Sequence, residues 1–306
     1  MIATRFTQLV GCAVPIQQAG MGAAAPPELA AAVSEAGALG MLGTARPGLT
    51  AITFADLLEQ VRSLTDRPFG VNFIVAPVFL NGTSTRPPLD LKCIEIAARA
   101  VKVVEFFYGE PERRFVEMAH AGGALACWQV GSREEAIAAV RAGCDFVIAQ
   151  GAEAGGHVRG TSPAMTLLGE VISAVDVPVL AAGGIGTGRA MATALAAGAD
   201  GVRVGTRFVA AAEAAVHPEY VAALPQRHRT PPTPKRSPSA GPTRPTAFCA
   251  RPFRQPKPSR AMRSAKRLVW TGPGYRSLAS RLASPTRPRR ARSRRCRSGR
   301  ENLSAP

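Results

Sequence analysis

Aromatic residues are scarce in this 306-residue chain, with two tryptophans and three tyrosines, and no two cysteines are spaced as CxxC. The six cysteines (Cys12, Cys93, Cys127, Cys144, Cys249 and Cys296) stand apart, with no histidine at ligand spacing. That pattern argues against a disulfide framework or a zinc site and predicts reduced, mostly buried thiols. The sequence also lacks an apolar run long enough to cross a bilayer and a signal-peptide pattern. The expectation is a soluble, cytoplasmic protein with no membrane partner and no metal.

Acidic residues are nearly missing from the last quarter. Between Pro225 and Pro306, 22 Lys and Arg face a single acid, Glu301. Residues 1–224 hold the other 16 of 38 basic residues and 20 of 21 acidic ones, so the net charge of +17 hides a mildly acidic body. The same final segment carries 14 of the 26 prolines and no sustained helical or strand period. It cannot bury a core, which predicts a body over 1–224 and a disordered Arg/Pro-rich tail over 225–306.

The body alternates short apolar runs with helical patterns. Eight strands are predicted, at Val14–Gln17, Ala38–Gly43, Phe69–Val75, Val101–Phe107, Ala124–Val130, Phe146–Gln150, Val177–Ala182 and Gly201–Val204. Several are continuous apolar runs, as expected for parallel strands covered on both faces. Helix starts are expected at Thr53 with Asp56, at Ser132 with Glu135, and at Thr187, with stops at Gly143 and Gly198. The stretches "RAGCDFVIAQG" (141–151) and "AAGADGVRVGT" (196–206) repeat one design of helix end, Ala-Gly-x-Asp turn, buried strand and glycine. Eight strand–helix units favour a closed (β/α)8 TIM barrel over an open sheet, because glycine-rich pieces recur at several strand ends.

Chemistry is expected at those ends. "VPVLAAGGIGTGRA" (177–190) and "VRVGTRF" (202–208) each read as strand, glycine turn and helix, the usual phosphate cradle of the last two barrel loops. In "AQGAEAGGHVRG" (149–160), four glycines would let backbone lie flat against a planar ligand. His157 would then face that ligand from the barrel rim, as a group suited to proton transfer. Gln17, Gly20 and Met21 end the first strand, Gln129 lies at the end of another, and Asn72 needs a partner, either a ligand heterocycle or backbone. His120 and His217 read as structural or solvated, and Trp128 as core.

In combination, "VPIQQAGMG", "GVNF", "VVEFFYGEP", "WQVGS", "AQGAEAGGHVRG", "PVLAAGGIGTGRA" and "GADGVRVGTRF" resemble the FMN-dependent nitronate monooxygenases, formerly 2-nitropropane dioxygenases. The resemblance covers residues 1 to about 224. It implies a TIM barrel with a small inserted lid and FMN as cofactor, its phosphate on the last two loops. It implies FMN contacts from Gly20, Met21, Asn72, Gln129, Gln150, Gly155, Gly156, Gly183, Gly184, Gly205 and Thr206. His157 would be the base or the group orienting the nitro oxygens. In that family an alkyl nitronate gives an electron to the flavin, and the radicals react with O2 to release a carbonyl compound and nitrite. The flavin-dependent enoyl-ACP reductases share the scaffold and the Gly-Gly-His loop, and some relatives reduce quinones with NAD(P)H. Barrel motifs alone do not separate these activities.

The resemblance stops after "HPEYVAAL", where the family continues with more helix and a short packed segment. The favoured reading is a reading-frame change near Leu224. The alternative is a tail that binds nucleic acid non-specifically, since 22 basic residues would neutralise many phosphates. Few aromatics interleave that charge (Phe248, Phe253, Trp270 and Tyr275).

Overall fold

The computed structural model describes residues 2–46, 48–75, 79–80, 83–84 and 89–227. Its eight parallel strands form a barrel: β1 (Ile16–Gln18), β2 (Gly40–Gly43), β3 (Phe69–Ile74), β6 (Val103–Phe107), β7 (Leu125–Val130), β8 (Phe146–Gln150), β9 (Val179–Ala182) and β10 (Gly201–Val204). A short antiparallel hairpin, β4 (Phe79–Leu80) with β5 (Thr83–Ser84), lies between β3 and the next helix. Five of the eight predicted strands are trimmed by one or two residues, the first starts two later and ends one later at Gln18, and those at 146–150 and 201–204 agree to the residue.

Around the barrel run α2 (Pro27–Glu35), α3 (Ala51–Leu64), α4 (Leu91–Ala100), α5 (Arg113–Ala121), α6 (Arg133–Ala142), α7 (Ala164–Ile172) and α8 (Gly188–Ala196). α1 (Arg5–Val10) precedes β1, and α9 (Pro218–Arg227) ends the described chain. α9 therefore extends three residues past the expected body, and the remaining tail, 228–306, lies outside the described residues together with Cys249 and Cys296.

The ladder is complete except where β1 meets β2. There the only parallel bridge joins Gln17 to Leu39, with Gln18 N–H donating to Leu39 O at 2.9 Å and Leu39 N–H to Ile16 O at 2.9 Å. The Gln18 side chain extends the closure, its Nε2 donating to Met41 O (3.0 Å) and its Oε1 accepting from Met41 N (3.2 Å).

The Ala-Gly-x-Asp repeat has a mechanical reason. Asp145, before β8, accepts the backbone N–H of Ala126 at the start of β7 (2.7 Å). Asp200, before β10, likewise accepts from Val179 at the start of β9 (3.0 Å). Each aspartate thus caps the preceding strand at the barrel bottom. Asp200 also takes Arg5 in a bidentate pair at 2.8 and 2.7 Å, fastening α1 beneath the barrel. From α1, Phe6 and Val10 enter the barrel and meet Leu39, Met41, Val103, Cys127, Phe146, Ile148 and Leu180 as an apolar floor.

Helix ends follow their capping chemistry. Thr187 accepts from Ala190 N–H, and Gly143 adopts φ 104° after α6. Ser132 accepts from Glu135 N–H, but the Glu135 carboxylate reaches Gly131 N–H at 2.7 Å instead of closing the box on Ser132. α3 starts earlier than predicted: Thr50 is its cap, and Thr53 is the residue that reciprocates within the first turn. The helix expected directly after Gly205-Thr206 is a single 3-10 turn, Phe208–Ala210, closed by Phe208 N–H on Gly205 O.

Cys93, Cys127 and Cys144 are buried free thiols, and Cys12 is half-buried. Among the described residues no helix is long and apolar enough to cross a membrane, and no group of three His, Cys, Asp or Glu is placed to hold a metal ion.

Candidate active site

Side chains two apart along a strand share a face, so the interior series can be followed upward from the apolar floor. One step above Val103 comes Glu105; above Cys127 comes Gln129; above Ile148 comes Gln150; above Gly201 comes Arg203. With Gln17 and Asn72 these make a polar layer, every member buried. Glu105 is its centre. It accepts from Asn72 Nδ2 (2.5 Å), Gln17 Nε2 (3.1 Å) and Arg203 Nη1 (2.5 Å). Arg203 Nη1 also donates to Gln129 Oε1.

Burial drives the Glu105 carboxyl above its ordinary pKa, while Arg203 and the two amides pull it back. Three donors and no acceptor around it match the ionised form, paired with Arg203. The Asn72 amide therefore finds a carboxylate, which neither expected reading had named. Glu105 and Arg203 were not singled out in the sequence. Their only signal is a lone charge inside a buried strand, at the interior parity of "VVEFF" and "GVRV".

Above this layer lies a ring of glycine-rich loops. Gly20 follows β1 and presses on Asn72: a methyl group there would stand 2.3 Å from Asn72 Cβ. Gly205 follows β10 beside Met21, whose Sδ lies 3.9 Å from where such a methyl would be. Gly155 neighbours Thr206 Oγ1 by the same measure, at 3.2 Å. Gly183 (φ 121°) and Gly184 (φ 67°) follow β9 in left-handed conformations, next to Ala154 and Glu153. The structure thus brings the predicted residues to the C-terminal ends of β1, β3, β7, β8, β9 and β10, on one end of the barrel. At Gly156 (φ 77°) an added methyl would face open space.

His157 is exposed, on a loop pinned at both ends. Ala152 N–H donates to Ser162 O (2.9 Å), and Glu153 accepts from Ala164 N–H (2.8 Å). At the far end, Arg159 pairs with Glu110 (2.8 Å) and Glu135 (2.6 Å), raising its own pKa. Gln150 Nε2 donates to the His157 carbonyl at 3.0 Å, tying the loop to the polar layer. The imidazole stands 5.5 Å from the Tyr108 ring, edge to face at 71°. Tyr108, another residue the sequence did not single out, is the only described non-glycine at positive φ (74°). Backbone strain of this kind collects at functional sites.

Two buried acceptors in this region have no hydrogen-bond partner among the described residues, Gln17 Oε1 and Gln150 Oε1. An unpartnered buried acceptor costs about 1–3 kcal/mol, so a ligand donor is the natural complement. His120 pairs with Asp145 at 2.9 Å on the outside, His217 is half-buried with its Nδ1 accepting from Glu219 N–H, and Trp128 is core with its Nε1 on Gly109 O.

A family model described as nitronate monooxygenase matches residues 3–230. The nitronate monooxygenase of Pseudomonas aeruginosa is 36% identical over 258 residues, covering 72% of this chain and 73% of that protein. A 5-hydroxy-7a-methyl-1-oxo-octahydro-1H-indene-4-carboxyl-CoA dehydrogenase of Rhodococcus jostii is 38% identical over 215 residues; the match takes in 70% of this chain and 57% of that relative. Among solved structures, FabK from Thermotoga maritima is similar at TM-score 0.66 and 38% identity, covering 73% of this chain and 68% of that one. The nitroalkane oxidase of Streptomyces ansochromogenes is similar at TM-score 0.63 and 34% identity, covering 72% of each chain.

Proposed function

Because this chain belongs to the nitronate monooxygenase family, we propose that it is an FMN-dependent oxidoreductase converting alkyl nitronates and O2 to carbonyl compounds and nitrite. The observation that carries the reading is the placement of His157 at the barrel rim, on a glycine loop above a buried polar layer. The residues present fit a flavin. Gly183 and Gly184 leave backbone N–H groups accessible where a Cβ would intrude, and Thr206 adds a hydroxyl beside Gly155, suiting a phosphate. Gln17 Oε1 and Gln150 Oε1 are acceptors for a heterocycle N–H, and Asn72 and Gln129 line the same layer.

The chain's own contribution is binding and proton control. Gly20, Met21 and Gly205 shape one wall of the cup, and Gly155 and Gly156 admit a planar ligand on the other. His157, its loop held by Arg159 and its carbonyl by Gln150, presents an imidazole that can donate to a nitronate oxygen, or take the carbon proton of a neutral nitroalkane to form the nitronate. The bound flavin supplies the electron acceptor.

The second reading, NAD(P)H-linked redox chemistry on thioesters or quinones, is kept because of the 38% identity to a carboxyl-CoA dehydrogenase and the likeness to FabK. The experiment is nitrite release from propionate 3-nitronate by flavin-loaded protein, run beside NADH consumption without nitronate. Nitrite formation in step with O2 uptake supports the first reading. NADH oxidation with no nitrite overturns it in favour of the second.

A further inference from the structure

Five strands converge on one buried ion pair, and that expense has no folding rationale. Replacing a buried ion pair by well-packed apolar residues is often neutral or stabilising. The Glu105–Arg203 pair joins β6 to β10, 98 residues apart in sequence, with Asn72, Gln17 and Gln129 added from β3, β1 and β7.

The pair is also unevenly buried. Arg203 keeps 7% of its side-chain exposure and Glu105 has none. Among the described residues the hydrogen bonds of Arg203 all leave from Nη1, so Nε and Nη2 remain as donors. Arg203 lies two residues before Gly205, and its cross-strand partner Ala182 directly precedes Gly183. Asn72, opposite Glu105, is the residue Gly20 presses upon. A ligand held by those glycine loops rests over the cationic end of the pair.

We propose that Arg203 and Glu105 set the electron affinity of the bound flavin. Arg203 stabilises negative charge on the ring that lies above it, and Glu105 limits how much of the arginine's charge the ring senses. The proposal rests on the flavin reading. Arg203 and Glu105 are positioning residues here, acting through the electrostatics of the cup.

Sulfite is the probe, because its sulfur lone pair bonds to flavin N5 and the displaced electron pair settles on the N1–C2=O edge, giving an anion with no other reactant. Flavin-loaded wild type, Glu105→Gln, Arg203→Lys and the Glu105→Gln/Arg203→Gln double variant are titrated with sulfite by visible absorbance. Glu105→Gln leaves the arginine uncompensated, and sulfite binds about tenfold tighter or more. The double variant has no buried charge and binds about tenfold weaker, while Arg203→Lys stays near wild type. The double variant keeps the test open should Glu105→Gln not fold. Both mutants weakening together, or both staying within twofold, overturns the proposal. A wild-type protein that binds no FMN overturns the flavin reading itself, so the two failures are distinct.

Discussion

The side-chain amide of Gln18 occupies both backbone groups of Met41, donating to its carbonyl at 3.0 Å and accepting from its N–H at 3.2 Å. A side chain here does the work of a missing strand residue, closing the barrel where β1 is only three residues long. Replacing Gln18 by leucine keeps volume but leaves two buried backbone groups unpaired, at about 1–3 kcal/mol each. Urea unfolding of Gln18→Leu should therefore show a loss of about 2–6 kcal/mol; a loss under about 1 kcal/mol would mean the closure does not depend on this amide.

His157→Ala should keep bound flavin and lose turnover on nitronates by about a hundredfold or more, the scale of a removed acid–base group. Absorbance of the purified variant checks the first half, and nitrite release the second. Full turnover with flavin bound would remove His157 from the chemistry.

Arg159 holds its loop through Glu110 and Glu135. Arg159→Gln is expected to cut kcat about tenfold through a looser His157 loop, with global stability changed by less than about 1 kcal/mol, since the Glu110 end is exposed. Hydrogen exchange over residues 152–158 should rise in parallel. Unchanged exchange and kcat would show that the latch is ornamental.

Gly20→Ala places a methyl 2.3 Å from Asn72 Cβ, so the first loop must lift off the polar layer. FMN affinity is expected to fall about tenfold or more, at the scale of overpacking strain. Gly169→Ala is the control, because that position lies on the exposed face of α7, with nothing within 4 Å of an added methyl. Equal affinities for both variants would count against the assigned wall.

The alkaline limb of stability has a definite sign. Burial pushes the Cys12 thiol from 9.0 up to about 11. Its stabilising contribution is complete below the unfolded pKa near 9, and is lost as pH rises from there through about 11. Cys144, raised by burial and by Asp145, acts in the same direction at higher pH. Unfolding midpoints of wild type should fall over that window, and Cys12→Ala should flatten the fall; identical curves would dismiss the thiol as its source.

Local pattern alone determined the eight strands, most helix ends and the position of the His157 loop. Those features depend on residues within a few positions of one another: capping hydroxyls such as Thr187, left-handed glycines such as Gly143, apolar runs such as 146–150. The recurrence of Ala-Gly-x-Asp was likewise visible as text, although its purpose, Asp145 and Asp200 capping neighbouring strands, required the sheet order. Thr53 was misread as a helix start because Thr50 carries the same chemistry three residues earlier.

What only the tertiary structure decided is the polar layer. Gln17, Asn72 and Gln129 were legible as polar residues at strand ends, but Glu105 and Arg203 each sit singly among apolar neighbours, where local context reads as core, and the five come from five strands. Closure of the barrel turns those solitary side chains to a common interior and stacks them one step above an apolar floor. Partners 33 to 98 residues apart satisfy one another only there. The glycines of residues 149–160 announced room for a ligand; the barrel supplied the charged surface beneath it.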